Sequence, residues 1–427
     1  MENKKVVEQD NKDHSYFYSL ELEGINCFKD KQTLDLSDGK YNYSPWTIIL
    51  GDNGTGKTTL LRVLDRMQPV EGTYENKFFS NPIFAFEFIL ANSNIDNSEA
   101  KLNIKKNEPD ANLSIRLNGG KANLFGYKET NSFLISYGAS RRMSKSTNLS
   151  QKEDNKNKTT SLFDESIELI NAEEWYLQKF LAFSTAENGI KIKLEEQLSL
   201  IKNVLVDFLP DVLDLRIKEI KTVNDKSALE VKINENEWIN LRYLSFGYQT
   251  LTALIVDIAS KMMEQYPISN NPLEEPAIIL IDEIDLHLHP KWQRTVIDKL
   301  SQHFPKAQFI ATSHSPLIVQ AALDKKANIV VCRKEGDRVI IDNNPDEVKG
   351  WRIDQILTSD LFEVESPRSK TTQKMLEEYM ILKGKSQLTK KDKEKIEELA
   401  PNIEKAYPNT TSDLDEKLSK FAEKYLK

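Results

Sequence analysis

Cysteine is scarce in this chain of 427 residues: Cys27 and Cys332 are the only two. They stand far apart, without the close pairing of a metal knuckle, and read as reduced thiols rather than as a disulfide framework. Long apolar runs are missing as well. No run of about 18 apolar residues occurs, so no segment reads as a membrane-spanning helix. The N-terminal MENKKVVEQDNKDH lacks the apolar core of a signal peptide, which points to a cytoplasmic protein. An excess of positive charge is also lacking. The net charge is −8, which argues against a protein that coats nucleic acid with its whole surface, while leaving room for a basic groove on one face. What is present, 39% hydrophobic and 29% charged residues, describes a soluble globular protein too long for one ordinary compact core.

The segment YFYSLELEGINCF (16–28) alternates and is rich in β-formers, and TLDLS from Thr33 continues in that style. WTIIL (46–50), PIFAFEFILA (82–91) and SFLISYG (132–138) are further predicted strands. SKSTNLSQKEDNKNKTTS (144–161) is polar and low in complexity, and reads as a mobile loop. Helical periodicity returns over 161–183 and around LEEQLSLIKNVLVDFL (194–209). Three short β-rich pieces, LRIKEIKTV, ALEVKIN and EWINLRY, then suggest a meander. The apolar strands AIILID (277–282) and QFIATS (308–313) flank a helix beginning near Pro290, and strands alternating with helices favour an α/β core with a parallel component. After Trp351 the chain turns lysine- and glutamate-rich and mostly helical, with Leu414, Leu418, Phe421 and Tyr425 forming an apolar stripe. The expected parts are 1–142 and 244–350 for the two halves of the core, 143–243 for an inserted lobe, and 351–427 for a helical extension.

GDNGTGKT (51–58) matches G-x-x-x-x-G-K-[ST] at every fixed position, with a strand before it and a helix after it. Gly51, Gly54 and Gly56 let the backbone N–H groups of Asp52, Asn53, Thr55 and their neighbours curl round a phosphate. Lys57 is placed to neutralise the β- and γ-phosphates of ATP, Thr58 to ligate Mg²⁺, and Thr59 opens a helix whose N-terminal dipole adds to the site. AIILIDEIDLHLHP supplies the second half. Five apolar residues carry Asp282 to the end of a buried strand, where its carboxylate can hold Mg²⁺ directly or through water, and Glu283 follows as general base for the attacking water or as its positioner. His314 ends another apolar strand, where it can sense the γ-phosphate. His287 and His289 form an H-x-H, but no third ligand at suitable spacing supports a metal site there.

P-loop, LSFGYQ, apolar-Asp-Glu and a strand ending in histidine follow one another in the order of ABC-type ATPases, and residues 244–249 match their L-S-x-G-x-Q signature completely. That resemblance implies an ABC-ATPase head: a P-loop core with a mixed sheet, an inserted helical and β lobe, and a helical C-terminal extension. It implies two chains clamping two ATPs. Ser245, Gly247 and Gln249 of one chain would complete the pocket on the other, and Asp285 would cross between them. Ser245 is expected to cap its helix besides, and Gly247 to allow close approach to phosphate. One part is missing: SFLISYGASRR holds no glutamine where the pattern expects one on Mg²⁺ and water, and Ser140, Arg141 or another residue that folds in would take its place.

The long inserted segment and the single P-loop look like the RecF and SMC relatives. ISYGASRR, LSFGYQ, IDEIDLHLHPKWQ, FIATSHSPLIV and GWRIDQIL together resemble a family of bacterial AAA-type ATPases that includes the ATPase of the Septu antiphage system, also found beside some retrons. The resemblance covers roughly 16–365. It implies a homodimer, or a higher oligomer built from dimers, and an HNH nuclease partner that supplies DNA cleavage. The tail offers no catalytic set of its own: Asp413-Leu414-Asp415 follows no apolar strand, and no histidine comes after His314. It reads as a docking element. A RecF-like DNA repair clamp is the alternative, and a transporter-type motor or other non-DNA regulator a third reading.

Overall fold

The computed structural model describes residues 14–40, 42–67, 97–105, 111–118, 121–125, 133–145, 160–209, 212–218, 228–343, 345, 353–359, 361–362, 366, 369–385 and 387–406. The predicted strand at 82–91, most of the polar stretch 144–161 and the stripe running from Leu414 to Tyr425 lie outside them.

The alternating N-terminal segment forms β1 (Tyr16–Glu23) and β2 (Gln32–Asp35). The apolar run ahead of the P-loop is β3 (Trp46–Gly51), and the helix Lys57–Arg66 follows the loop. Three strands that sequence reasoning passed over come next: β4 (Asn97–Lys105), β5 (Ala111–Asn118) and β6 (Lys121–Phe125). ISY lies in β7 (Leu134–Tyr137). The helix expected over 161–183 starts later, at Ala172, and runs to Thr185. Before it, the Asp164 carboxylate accepts the Ser166 N–H in a local turn that competes with helix formation, and the Asn171 side chain then caps the helix by accepting from the Glu174 N–H. The helix Asn188–Phe208 leads into the predicted meander, β8 (Asp214–Ile217), β9 (Leu229–Asn234) and β10 (Glu237–Asn240). The signature helix, Phe246–Gln265, precedes β11 (Ala277–Ile281), β12 (Ala307–Thr312), β13 (Asn328–Glu335) and β14 (Arg338–Asp342).

Six strands form the central sheet in the order β14-β13-β3-β12-β11-β7, parallel throughout except for the antiparallel edge strand β14. β11 and β12 are buried at every position, which is why they read as unbroken apolar runs rather than alternating ones. A second, antiparallel sheet has the order β2-β1-β4-β5-β6, and the meander makes a third of three strands. One apolar core joins the first two sheets through the P-loop helix, with Leu20 and Leu34 from one side, Ile49, Ile310 and Val330 from the other, and Leu60 and Leu64 between. Gln308, fully buried in β12, clips the sheets together: its side chain accepts the Phe17 N–H at 2.8 Å and donates to the Phe17 carbonyl at 2.7 Å. Phe17 stands at the bulge of the β1–β4 ladder, so the glutamine supplies the bonds the ladder leaves open.

The chain divides into two compact units, 1–351 and 352–427. In the second, the helices Lys370–Lys383 and Lys390–Ala406 pack through Leu376, Met380 and Ile403, with Ser369 capping the first of them. Among the described residues no helix is long and apolar enough to cross a membrane.

Candidate active site

The central sheet brings the motif residues together. β12 lies between β3 and β11, so the P-loop, the Asp-Glu pair and His314 all leave the same carboxyl edge of neighbouring strands, the edge where open parallel sheets bind ligands. In the P-loop, Gly51, Gly54 and Gly56 have φ of 140°, 80° and 79°, a region that side chains disfavour. Gly51 also has no room for one: a Cβ there would collide with the Cys332 carbonyl on β13. At Gly54 a Cβ would meet nothing within 4 Å, so the crest of the loop is an open cradle. Lys57 is buried, and its ammonium donates to the Gly51 and Asp52 carbonyls at 2.8 Å each. Burial lowers its pKa, while the carboxylates of Asp282, Glu283 and Asp52 favour the charged form. The Thr55 hydroxyl closes the loop onto the Asp52 carbonyl at 2.8 Å, and the Thr59 hydroxyl accepts from the Asn26 amide at 3.3 Å. Asn53 stands exposed at the crest.

Asp282 is buried, and both carboxylate oxygens are engaged: Oδ2 accepts from the Thr58 hydroxyl at 2.7 Å and Oδ1 from the Thr312 hydroxyl at 2.6 Å. Thr312 Oγ1 in turn accepts the Glu283 N–H at 2.7 Å. Glu283 has φ 49°, a conformation that costs a non-glycine residue about 1–2 kcal/mol. Asp285 accepts at Oδ1 from the Ser313 hydroxyl at 2.6 Å and from the His314 N–H at 3.3 Å, which ties the loop after the Asp-Glu pair to the end of β12. The His314 ring is exposed. Gln293 completes the tie, donating to the Leu288 carbonyl at 3.0 Å and accepting from the Ser315 hydroxyl at 2.7 Å.

The signature motif differs from expectation at one residue, Ser245. Ser245 occupies the N-cap position, but its side chain makes no capping hydrogen bond; the hydroxyl is exposed. Gln249 holds its own turn instead, donating to the carbonyls of Arg242 at 2.9 Å and Leu244 at 2.8 Å. Gly247 has a reason within the chain besides phosphate: a Cβ on it would lie 2.5 Å from the His287 carbonyl oxygen. His287 packs edge-on against Phe246 at 4.8 Å, and His289 Nδ1 accepts the Lys291 N–H, so both members of the H-x-H have structural work. Among the described residues no group of three His, Cys, Asp or Glu side chains could hold a metal. The turn before the motif is held from the lobe, where buried Glu173 pairs with Arg242 and accepts the Leu229 N–H at 3.0 Å.

Arg141 is the residue whose position the sequence left open. Its side chain is buried, with 3% exposure, and donates to the carbonyls of Gly138 at 2.8 Å, Asp282, and Glu283 at 2.7 Å. Burial pushes its guanidinium down to about 10, against the pull of the carboxylates of Asp282, Asp285 and Glu283, and it stays charged near neutral pH.

These residues fit a nucleotide with its magnesium ion. Two neighbouring ligands of an octahedral Mg²⁺ stand about 2.9 Å apart. The oxygens of Thr58 and Asp282, hard donors 2.7 Å apart, are spaced for it beneath an open glycine cradle and a lysine ammonium. Sequence reasoning missed Thr312, Ser313 and Gln293, whose contacts cross from one strand end to another and leave no local pattern.

The family model described as "AAA domain, putative AbiEii toxin, Type IV TA system" matches residues 47–320. The chain is similar to Septu protein PtuA of Bacillus mycoides (strain KBAB4), 25% identical over 376 residues, covering 87% of this chain and 48% of that protein. It is similar also to Septu protein PtuA of Bacillus thuringiensis, 28% identical over 358 residues, covering 81% and 83%. With "Retron Vc95 probable ATPase" of Vibrio cholerae serotype O1 biovar El Tor it shares 33% identity over 206 residues, 48% of this chain and 37% of the relative. The chain therefore spans about half or less of two of these relatives.

Proposed function

Because the chain belongs to the AAA-domain family matched at residues 47–320, we propose that it is an ATP-hydrolysing ABC-type ATPase of an antiphage defence system. The observation that carries this reading is the 2.7 Å contact between Thr58 and Asp282, which joins the P-loop to the Asp-Glu strand end with Glu283 one residue beyond. In this reading Gly51, Asp52, Asn53, Gly54, Thr55 and Gly56 wrap the phosphates, and Lys57 balances their charge. Thr58 and Asp282 hold Mg²⁺, which when bound offsets negative charge on the phosphates. Glu283 accepts a proton from the attacking water, and His314 orients that water beside the γ-phosphate. The exposed, uncapped Ser245 supports a site completed by a second copy, with Gly247, Gln249 and Asp285 at the same interface. The protein is then a homodimer or an assembly of dimers, acting in the cytoplasm.

The names of the similar proteins support the defence setting. An HNH-type nuclease partner that acts on DNA is part of the proposal, taken from the family that the sequence motifs resemble. The second unit of the chain, 352–427, is its proposed dock. Affinity purification of the tagged chain from its native host, with mass spectrometry, tests the assignment. The expected result is an HNH-type nuclease in fixed ratio. Recovery of the ATPase alone, or with recombination proteins, contradicts it in favour of a RecF-like repair clamp.

A further inference from the structure

Glu283 adopts a left-handed backbone conformation that residues with side chains disfavour, so its surroundings must impose it. Two side chains do so, beside the turn itself, in which the Leu286 N–H donates to the Glu283 carbonyl at 2.9 Å and the Ile284 N–H to the Thr312 carbonyl at 3.0 Å. The Thr312 hydroxyl accepts the Glu283 N–H at 2.7 Å, and Arg141 donates Nη2 to the Glu283 carbonyl at 2.7 Å. Through Nη1 the same guanidinium donates to the carbonyls of Asp282 and Gly138. All three of these acceptors are main-chain carbonyls, and Arg141 is almost wholly buried. Burying a cation is expensive, and a neutral donor could satisfy one carbonyl without that penalty. What a neutral amide or a lysine lacks is a rigid planar fork able to grip successive carbonyls at once.

The clamp also has a second attachment. Gly138 N–H donates to the Ser161 hydroxyl at 3.1 Å, Ser144 N–H to the Leu169 carbonyl at 2.9 Å, and Leu169 N–H to the Arg142 carbonyl at 2.7 Å. The segment that carries Arg141 is therefore laced to 161–169, at the start of the inserted lobe. Its anchor in the core is the end of β7, which pairs in parallel with β11.

We propose that Arg141 is a positioning residue for hydrolysis: it fixes the peptide unit of Glu283 from the carbonyl side, aims its carboxylate at the attacking water, and makes that aim depend on the lobe. This rests on the reading of Glu283 as general base. Arg141 thus works where the ABC-type pattern carries a glutamine, through the backbone rather than by touching substrate. Segment 161–169 also touches the P-loop helix, where Arg62 Nε donates to the Leu162 carbonyl at 2.8 Å.

The test is to measure ATP affinity, kcat and melting temperature in the full chain for Arg141→Lys and Arg141→Ala, beside Glu283→Gln. Misplacing a reacting group by about 1 Å can cost about 100-fold, so Arg141→Lys is expected to lose about that much in kcat with ATP affinity held within about threefold. Guanidinium ion added at millimolar concentration is expected to restore part of the turnover of Arg141→Ala; if that variant does not fold, the lysine variant carries the test. Parental kcat in Arg141→Lys overturns the proposal. So does a parallel loss of affinity, kcat and melting temperature, the mark of a merely structural role. If Glu283→Gln turns over at the parental rate, the general-base reading fails first and the proposal falls with it.

Discussion

A Cβ built on Gly247 would stand 2.5 Å from the His287 carbonyl oxygen, closer than such atoms come in real structures. Gly247→Ala must therefore push the signature helix off the loop that follows the Asp-Glu pair, and overpacking of this kind costs about 1–3 kcal/mol. The expected outcome is a melting temperature lower by a few degrees with ATP affinity unchanged, measured by thermal unfolding and equilibrium binding. An unchanged melting temperature would mean that the helix and loop part freely. The same residue shows what a sequence conveys at this scale. That Gly51, Lys57, Thr58, Asp282 and Glu283 would meet was legible, because phosphate and metal chemistry favours those residue types at those spacings, and the structure brings them to one sheet edge. Gly247 was legible as part of a motif, but its close neighbour was not, because His287 lies on a loop some distance along the chain. Arg141 and Thr312 were illegible as partners for a related reason: each acts on atoms brought near by strand order alone.

Among the elements, the parallel strands were read most directly. β11 and β12 are buried on both faces, so their sequences are continuous apolar runs with polar ends, and no alternation had to be weighed. β4, β5 and β6 escaped notice although NSEAKLNIK and ANLSIRLN alternate apolar with polar residues, the pattern of a half-buried strand. The helix over 161–183 was anticipated too early, since Asp164 and Asn171 divert the backbone before Ala172. Gln308 is a polar residue inside an apolar strand, and its partner, Phe17, lies in a different sheet. Gln308→Leu removes a donor and an acceptor together and strands the Phe17 N–H and carbonyl in the core. Each unsatisfied buried group costs about 1–3 kcal/mol. Denaturant unfolding of Gln308→Leu should show a loss of that order; parental stability would mean that β1 and β12 are joined by packing alone.

For the whole molecule, the central question is whether one chain's site is finished by another. The P-loop, Asp282, Glu283 and His314 share one sheet edge, whereas Ser245 lies exposed at the mouth of an apolar helix with its hydroxyl uncommitted to a cap. In the proposed dimer that hydroxyl is the piece each chain offers its partner. Slowing hydrolysis should trap the clamped state, and blocking Ser245 should prevent it. The direct measurement is sedimentation of Glu283→Gln, alone and combined with Ser245→Arg, with and without ATP and Mg²⁺. ATP is expected to drive Glu283→Gln to dimerise and to leave the double variant unassembled although it binds nucleotide. A Glu283→Gln protein that binds ATP with no change of mass would contradict the proposed dimer.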